Sequence, residues 1–210
     1  MTMNTALLSP DFESLRLGVV HATELVKATS IALIGLDRGH GTSTLVYGLA
    51  QAFAAAEQPI ALVDAHFSRP RLHQLTGCAA IPGLSEALAG TNTDEAVARP
   101  ANSNPLMRVT PTGAGGAKVT YSRARWQGVL ANLQAGAEFI LIDAGCIQEP
   151  TALAAAAAAD AVALVVSANR SPYEAVDHAL TRLRECGASP IGTILNQRRY
   201  SLPRFLYRFL

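Results

Sequence analysis

The sequence predicts a doubly wound α/β domain, a mostly parallel sheet with helices on both faces. Three observations carry that prediction. Short β-rich runs alternate with helix-length segments along the chain, four of those runs are almost continuously apolar, and a glycine-containing turn joins the first run to the first long helical pattern. Strands buried on both faces of a parallel sheet read as unbroken apolar runs, and strand–helix alternation is the pattern of a layered α/β fold.

In order, the β-rich runs are Ser30–Leu36, Pro59–Ala65, the LMRVTP segment, Glu138–Ala144, the AVALVVSA segment and Pro190–Asn196. Between them, Thr44–Ala56, Arg123–Ala135 and Pro172–Cys186 have the length of helices. The segments ARPANSNP and TGAGGA read as surface loops, being built from turn formers. The alanine run Ala154–Ala159 reads as a closely packed helix. No repeat and no linker divides the chain, so residues 1–197 read as one α/β domain and 198–210 as a basic-aromatic tail.

Composition bounds the function. Half of the 210 residues are hydrophobic, enough for one large core, and the formal net charge is +1. No global basic field points to nucleic acid. Three cysteines, Cys78, Cys146 and Cys186, stand at unrelated spacings, which suits reduced thiols rather than a disulfide frame. No apolar run approaches the ~18–20 residues of a membrane span, and the chain opens on no signal peptide. These features predict a cytoplasmic protein.

The segment GLDRGHGTST, Gly35 to Thr44, sits between the first strand and the first helix. A phosphate loop curls backbone N–H groups and a helix N-terminus around an anion, so it needs glycines where the chain turns. Gly39 and Gly41 meet that need, Arg38 stands beside them, and Ser43 and Thr44 stand where a hydroxyl would meet Mg²⁺. Against the pattern G-x-x-x-x-G-K-[ST], only Gly41 and Ser43 match; Leu36 takes the first position and Thr42 the lysine. On this segment alone, a plain glycine-rich turn and a phosphate loop are both compatible. Asp64 and Asp143 each end an apolar strand, at the rim where open α/β sheets bind ligands.

With SPDFESLR, GHGTST, LVDAHFSRPRLHQLTG, IPGLSEALAG, LMRVTPTG, FILIDAG and GTILNQ in order, the chain resembles the cytoplasmic domain of the bacterial tyrosine kinases of capsule and exopolysaccharide synthesis, within the MinD/ParA-like P-loop group. The resemblance implies Mg-ATP or ADP as cofactor, and a nucleotide site of Arg38, Gly39, Gly41, Thr42, Ser43, Thr44 and Asn196. It places the metal on Ser43 and Asp64, and makes Asp64 and Asp143 the catalytic carboxylates. It also implies an N-terminal oligomerisation helix, and a membrane chain-length regulator or a polysaccharide synthase or export component as partner.

The departures from the family point one way. Thr42 replaces the lysine that neutralises the β- and γ-phosphates, Asp37 stands where MinD/ParA relatives carry a second lysine, and His66 replaces the second aspartate of the acidic motif. A charge-assisted hydrogen bond is worth roughly 1.5–3 kcal/mol, about 10- to 150-fold in affinity. Lost transition-state stabilisation costs a further factor of about 10²–10³. On the oligomerisation helix the motif reads Glu13, Arg16, then Val19, one charge short, which predicts a monomer or small homo-oligomer. The sequence thus predicts a degenerate kinase-like protein, with no cofactor or a weakly bound one and a vestigial site, that regulates or scaffolds polysaccharide synthesis at the inner face of the inner membrane. The alternatives are an active autokinase or ATPase using Arg38, and a MinD-like membrane-associated positioning protein.

The tail adds a docking expectation. On a helical turn opened by Pro203, Arg204 and Arg208 share one face, while Phe205, Leu206, Phe209 and Leu210 spread over the other. Eight residues make a marginal helix in water, so the segment needs a surface. That surface is either the domain's own sheet or, as the sequence reading prefers, a partner protein or the membrane interface.

Overall fold

The computed structural model describes residues 10–91, 98–101, 104–115, 122–168 and 170–197. The elements in chain order are α1 (Pro10–Val26), β1 (Ser30–Gly35), α2 (Thr42–Ala55), β2 (Ile60–Asp64), α3 (Leu72–Thr76), α4 (Leu84–Ala89), β3 (Arg99–Ala101), β4 (Asn104–Thr110), α5 (Arg123–Gln134), β5 (Phe139–Cys146), α6 (Pro150–Ala158), β6 (Ala161–Ser167), α7 (Tyr173–Glu185) and β7 (Pro190–Asn196). The seven strands form one sheet in the order β3-β4-β2-β5-β1-β6-β7. All neighbours are parallel except β3, which runs antiparallel to β4.

The apolar runs take the centre of the sheet because only there are both faces covered. Every residue of β1, β2 and β6 is buried. Alternate residues feed two cores. Ala32, Ile34, Val63, Ile142 and Leu164 pack with α5, α6 and α7; Ile31, Leu33, Leu62, Leu141 and Val165 pack with α1 and α2. Each fully buried large side chain contributes about 1.5–3 kcal/mol. The alanine run forms α6, where Ala152, Ala155 and Ala156 are completely buried; their small side chains bring the helix close to the sheet.

Two local expectations need correction. ARPANSNP is not simply a loop: Arg99–Ala101 is an edge strand, and Asn104 already belongs to β4. Pro100 disguises the strand, since proline is tolerated only at an edge, and Arg99 is anchored by its guanidinium to the Ile81 carbonyl (3.1 Å). The second correction is at α2, which starts at Thr42, two residues early, so that Thr42 and Ser43 lie in its first turn. The short helices α3 and α4 add to the elements read from sequence. Residues 198–210, with the expected docking side chains, and Lys118 lie outside the described residues.

Of the α1 residues that the resemblance reads as an oligomerisation motif, Arg16 and Val19 pack against the domain while Glu13 stays exposed. Arg16 pairs with Glu13 (2.6 Å), donates to Gln58 Oε1 (2.7 Å) and lies over the Phe53 ring. Val19 is buried against α2 rather than standing as a gap in an exposed charged row. Phe12 fills the notch that Gly48 leaves on α2; a Cβ on Gly48 would collide with its ring. Val19→Arg therefore buries an unpaired guanidinium. It is expected to cost at least about 2 kcal/mol and to lower Tm by several degrees in calorimetry. An unchanged Tm with a gain in assembly would show that position 19 faces outward.

Candidate functional site

The site forms where β1 ends and α2 begins. Gly39 and Gly41 both have left-handed backbones (φ 81° and 79°), so the loop curls and presents the first turn of α2. Gly41 is required twice, because a Cβ there would also come within 2.8 Å of Asn196 Nδ2. Three amide side chains hold the loop carbonyls. Gln148 Nε2 donates to Leu36 O (2.8 Å), Gln197 Nε2 to Gly39 O (2.7 Å) and Asn196 Nδ2 to His40 O (2.7 Å). The amide of Asn196, which the family resemblance assigns to adenine, is thus engaged with the loop itself.

Residues Asp37 to Thr44 line a cavity of about 180 Å³ with His66, Arg69, Arg71, Gly145 and Cys146. Thr44 is exposed at its edge. Thr42 is buried, and its hydroxyl lies back against the strand: a Cβ on Gly35 would be 2.8 Å from Thr42 Oγ1. Ser43 is buried beside Asp143, near enough for its hydroxyl to oppose the rise in that carboxyl's pKa. Asp37 Oδ1 accepts the Arg38 N–H (2.7 Å), and the Arg38 side chain is 63% exposed. Among the described residues no lysine lines the cavity. Lys27 precedes β1, at the opposite end of the sheet.

Asp64 and Asp143 are register partners on β2 and β5, and both are fully buried. Asp64 accepts N–H groups from Arg71 and Leu72 (both 2.9 Å) and from His66 (3.2 Å), so it anchors the start of α3. Asp143 accepts the Gly145 N–H (3.2 Å), while its Oδ2 is buried with no hydrogen-bond partner. Burial pushes both carboxyls up to about 6; mutual repulsion adds to the rise at Asp64, and the Ser43 hydroxyl opposes it at Asp143. The pair titrates as a unit.

His66, at the second acidic position, packs over Gly145, whose φ of 77° admits no side chain; a Cβ would meet the imidazole at 2.5 Å. Its Nε2 lies 3.8 Å from Glu149 Oε1, yet burial outweighs that carboxylate and holds the imidazole pKa below its usual value. Glu149 also accepts the Ser68 hydroxyl (2.6 Å) and faces Arg38 at 3.8 Å. A carboxylate therefore sits among the cations beside the loop.

The structure brings together Arg38, Gly39, Gly41, Thr42, Ser43, Thr44, Asp64, Asp143 and Asn196. Arg69, Arg71, Gln148, Glu149 and Gln197 complete the site and were not singled out from sequence. Gln148 and Glu149 precede Pro150 and read as an ordinary helix start; only their position just after Asp143 marked them. Among the described residues no group of three His, Cys, Asp or Glu side chains could hold a metal ion. A magnesium–triphosphate group would meet mixed charge here, since Arg38, Arg69 and Arg71 line the cavity together with Asp37. The loop itself carries no ammonium, Asp37 and Glu149 oppose anionic charge, and His66 holds the position that the resemblance gives to a second carboxylate.

No family model matches the chain, and no curated protein matches it. Solved structures do. The kinase domain of the Escherichia coli tyrosine kinase Etk superposes with a TM-score of 0.79 at 20% identity, over 91% of this chain and 77% of that one. The BceF tyrosine kinase domain gives 0.76 at 25% identity, over 88% and 75%. The septum site-determining protein MinD of Pyrococcus horikoshii, complexed with Mg-ADP, gives 0.69 at 20% identity, over 86% and 76%. The chain has the fold shared by bacterial tyrosine kinase domains and MinD-like P-loop ATPases.

The buried aspartate pair makes a pH prediction. A carboxyl raised in the folded state favours folding while protonated, so this contribution is lost as pH rises from about 4 through 6. Asp143→Asn removes one charge. It is expected to stabilise the domain at pH 7.5 by about 1–3 kcal/mol, with the difference shrinking by pH 5. Denaturant unfolding at both pH values checks this; equal destabilisation at both would contradict it.

Proposed function

We propose that this chain is a tyrosine-kinase-like protein that has lost phosphotransfer and regulates or scaffolds bacterial exopolysaccharide or capsule synthesis. The observation that carries the reading is Thr42: a buried hydroxyl lying against Gly35 stands where the phosphate-neutralising lysine belongs. Asp37 and His66 remove charge from the same site, the likeness to the BceF and Etk tyrosine kinase domains supports the kinase-like part of the reading, and the pathway rests on the sequence resemblance.

In this proposal the protein works at the cytoplasmic face of the inner membrane, recruited by a membrane chain-length regulator or by a synthase or export component. Among the described residues no helix is long and apolar enough to cross a membrane. Active chemistry through Arg38 is disfavoured because that guanidinium is largely exposed and faces Glu149.

Calorimetry with MgATP is expected to give no affinity tighter than millimolar, and a radiolabel assay no autophosphorylation. Micromolar affinity with turnover would overturn the reading. Thr42→Lys restores one charge-assisted contact and is expected to improve binding about 10- to 150-fold; no gain would place the block at Asp37 or Glu149. In cells, Asp143→Asn is expected to leave polymer output at the level of the unaltered chain while deletion of the protein lowers it. Equal loss in both would indicate catalysis.

A further inference from the structure

Beside β7 lies a groove of about 700 Å³, walled by Phe12, Leu15, Leu45, Ile194 and Leu195, with Asp11 at its rim. Among the described residues β7 pairs only with β6, so its outer edge is open. Leu195 is 57% exposed there, an apolar side chain on an open strand edge. Gln197, which also lines the groove, has a left-handed backbone (φ 56°), a rare conformation for a side-chain-bearing residue that ends the extended path of β7 at the groove's mouth.

We propose that this groove seats the chain's own C-terminal segment, residues 198–210, as an intramolecular ligand. The segment begins at the groove. Its 13 residues reach about 40 Å when extended, against about 23 Å for the seven-residue strand beside them. It carries Leu202, Phe205, Leu206, Phe209 and Leu210 for the apolar walls. Four arginines and no acidic residue suit a groove whose one charged lining residue, among those described, is the acidic Asp11. A directly tethered segment has an effective concentration in the millimolar range, which favours this seat over an equally apolar surface elsewhere. The seat adjoins the phosphate loop, since Asn196 and Gln197 hold the loop carbonyls immediately before the segment starts. The inference does not depend on the proposed function.

Limited trypsin digestion of the full chain, followed by mass spectrometry at Arg204 and Arg208, tests it. Cleavage in the unaltered protein is expected to be at least tenfold slower than in Leu195→Glu, which charges the groove, and in Leu206→Ser with Leu210→Ser, which strips the segment without touching the domain. The protection is expected to be independent of protein concentration and of added phosphatidylglycerol vesicles. Equal cleavage in all three proteins would overturn the proposal. Protection that rises with protein concentration would assign the groove to a second copy, and protection that needs vesicles would assign the segment to the membrane; either result overturns it.

Discussion

Three amide side chains from two strand ends hold the carbonyls of the loop between β1 and α2. Gln148 comes from the end of β5, and Asn196 and Gln197 from the end of β7. A left-handed loop turns its carbonyls away from its N–H groups, and buried carbonyls need donors. The parallel sheet supplies them: β5 and β6 flank β1, and β7 lies one strand further, so their ends surround the loop. The loop's shape thus rests on protein groups. The three carbonyl contacts involve neither the Thr42 hydroxyl nor the Asp37 carboxylate, although Asp37 holds the neighbouring Arg38 N–H.

The same rim carries a cost. Two buried carboxylates on neighbouring strands repel one another, and Asp143 Oδ2 has no hydrogen-bond partner. Asp64 offsets part of this by accepting three backbone N–H groups and organising the β2–α3 turn. Asp143 has a weaker structural role, which makes it the more revealing position. Beside the two aspartates, Glu149 accepts the Ser68 hydroxyl and lies 3.8 Å from His66 Nε2.

Most of the fold was legible in the sequence because parallel strands buried on both faces leave long apolar runs, and six of the seven strands were found within two residues of their bounds. The exception, β3, is an edge strand whose Pro100 mimics a loop. The glycines of the loop and the rim aspartates were legible because strand ends and left-handed turns limit which residues fit. Gln148, Glu149 and Gln197 were not, since their role depends on which strand ends lie side by side. Val19 shows the same limit: the motif reads as one charge short, but the orientation of α1 makes the position part of the core.

Amide hydrogen exchange across residues 39–45 tests the central claim most directly, that this loop is held by the protein's own amides rather than by phosphate. The account predicts that these amides are already protected in the protein alone and that 1 mM MgATP leaves their rates unchanged. Amides that exchange freely until micromolar MgATP slows them would show that a nucleotide holds the loop, and would contradict it.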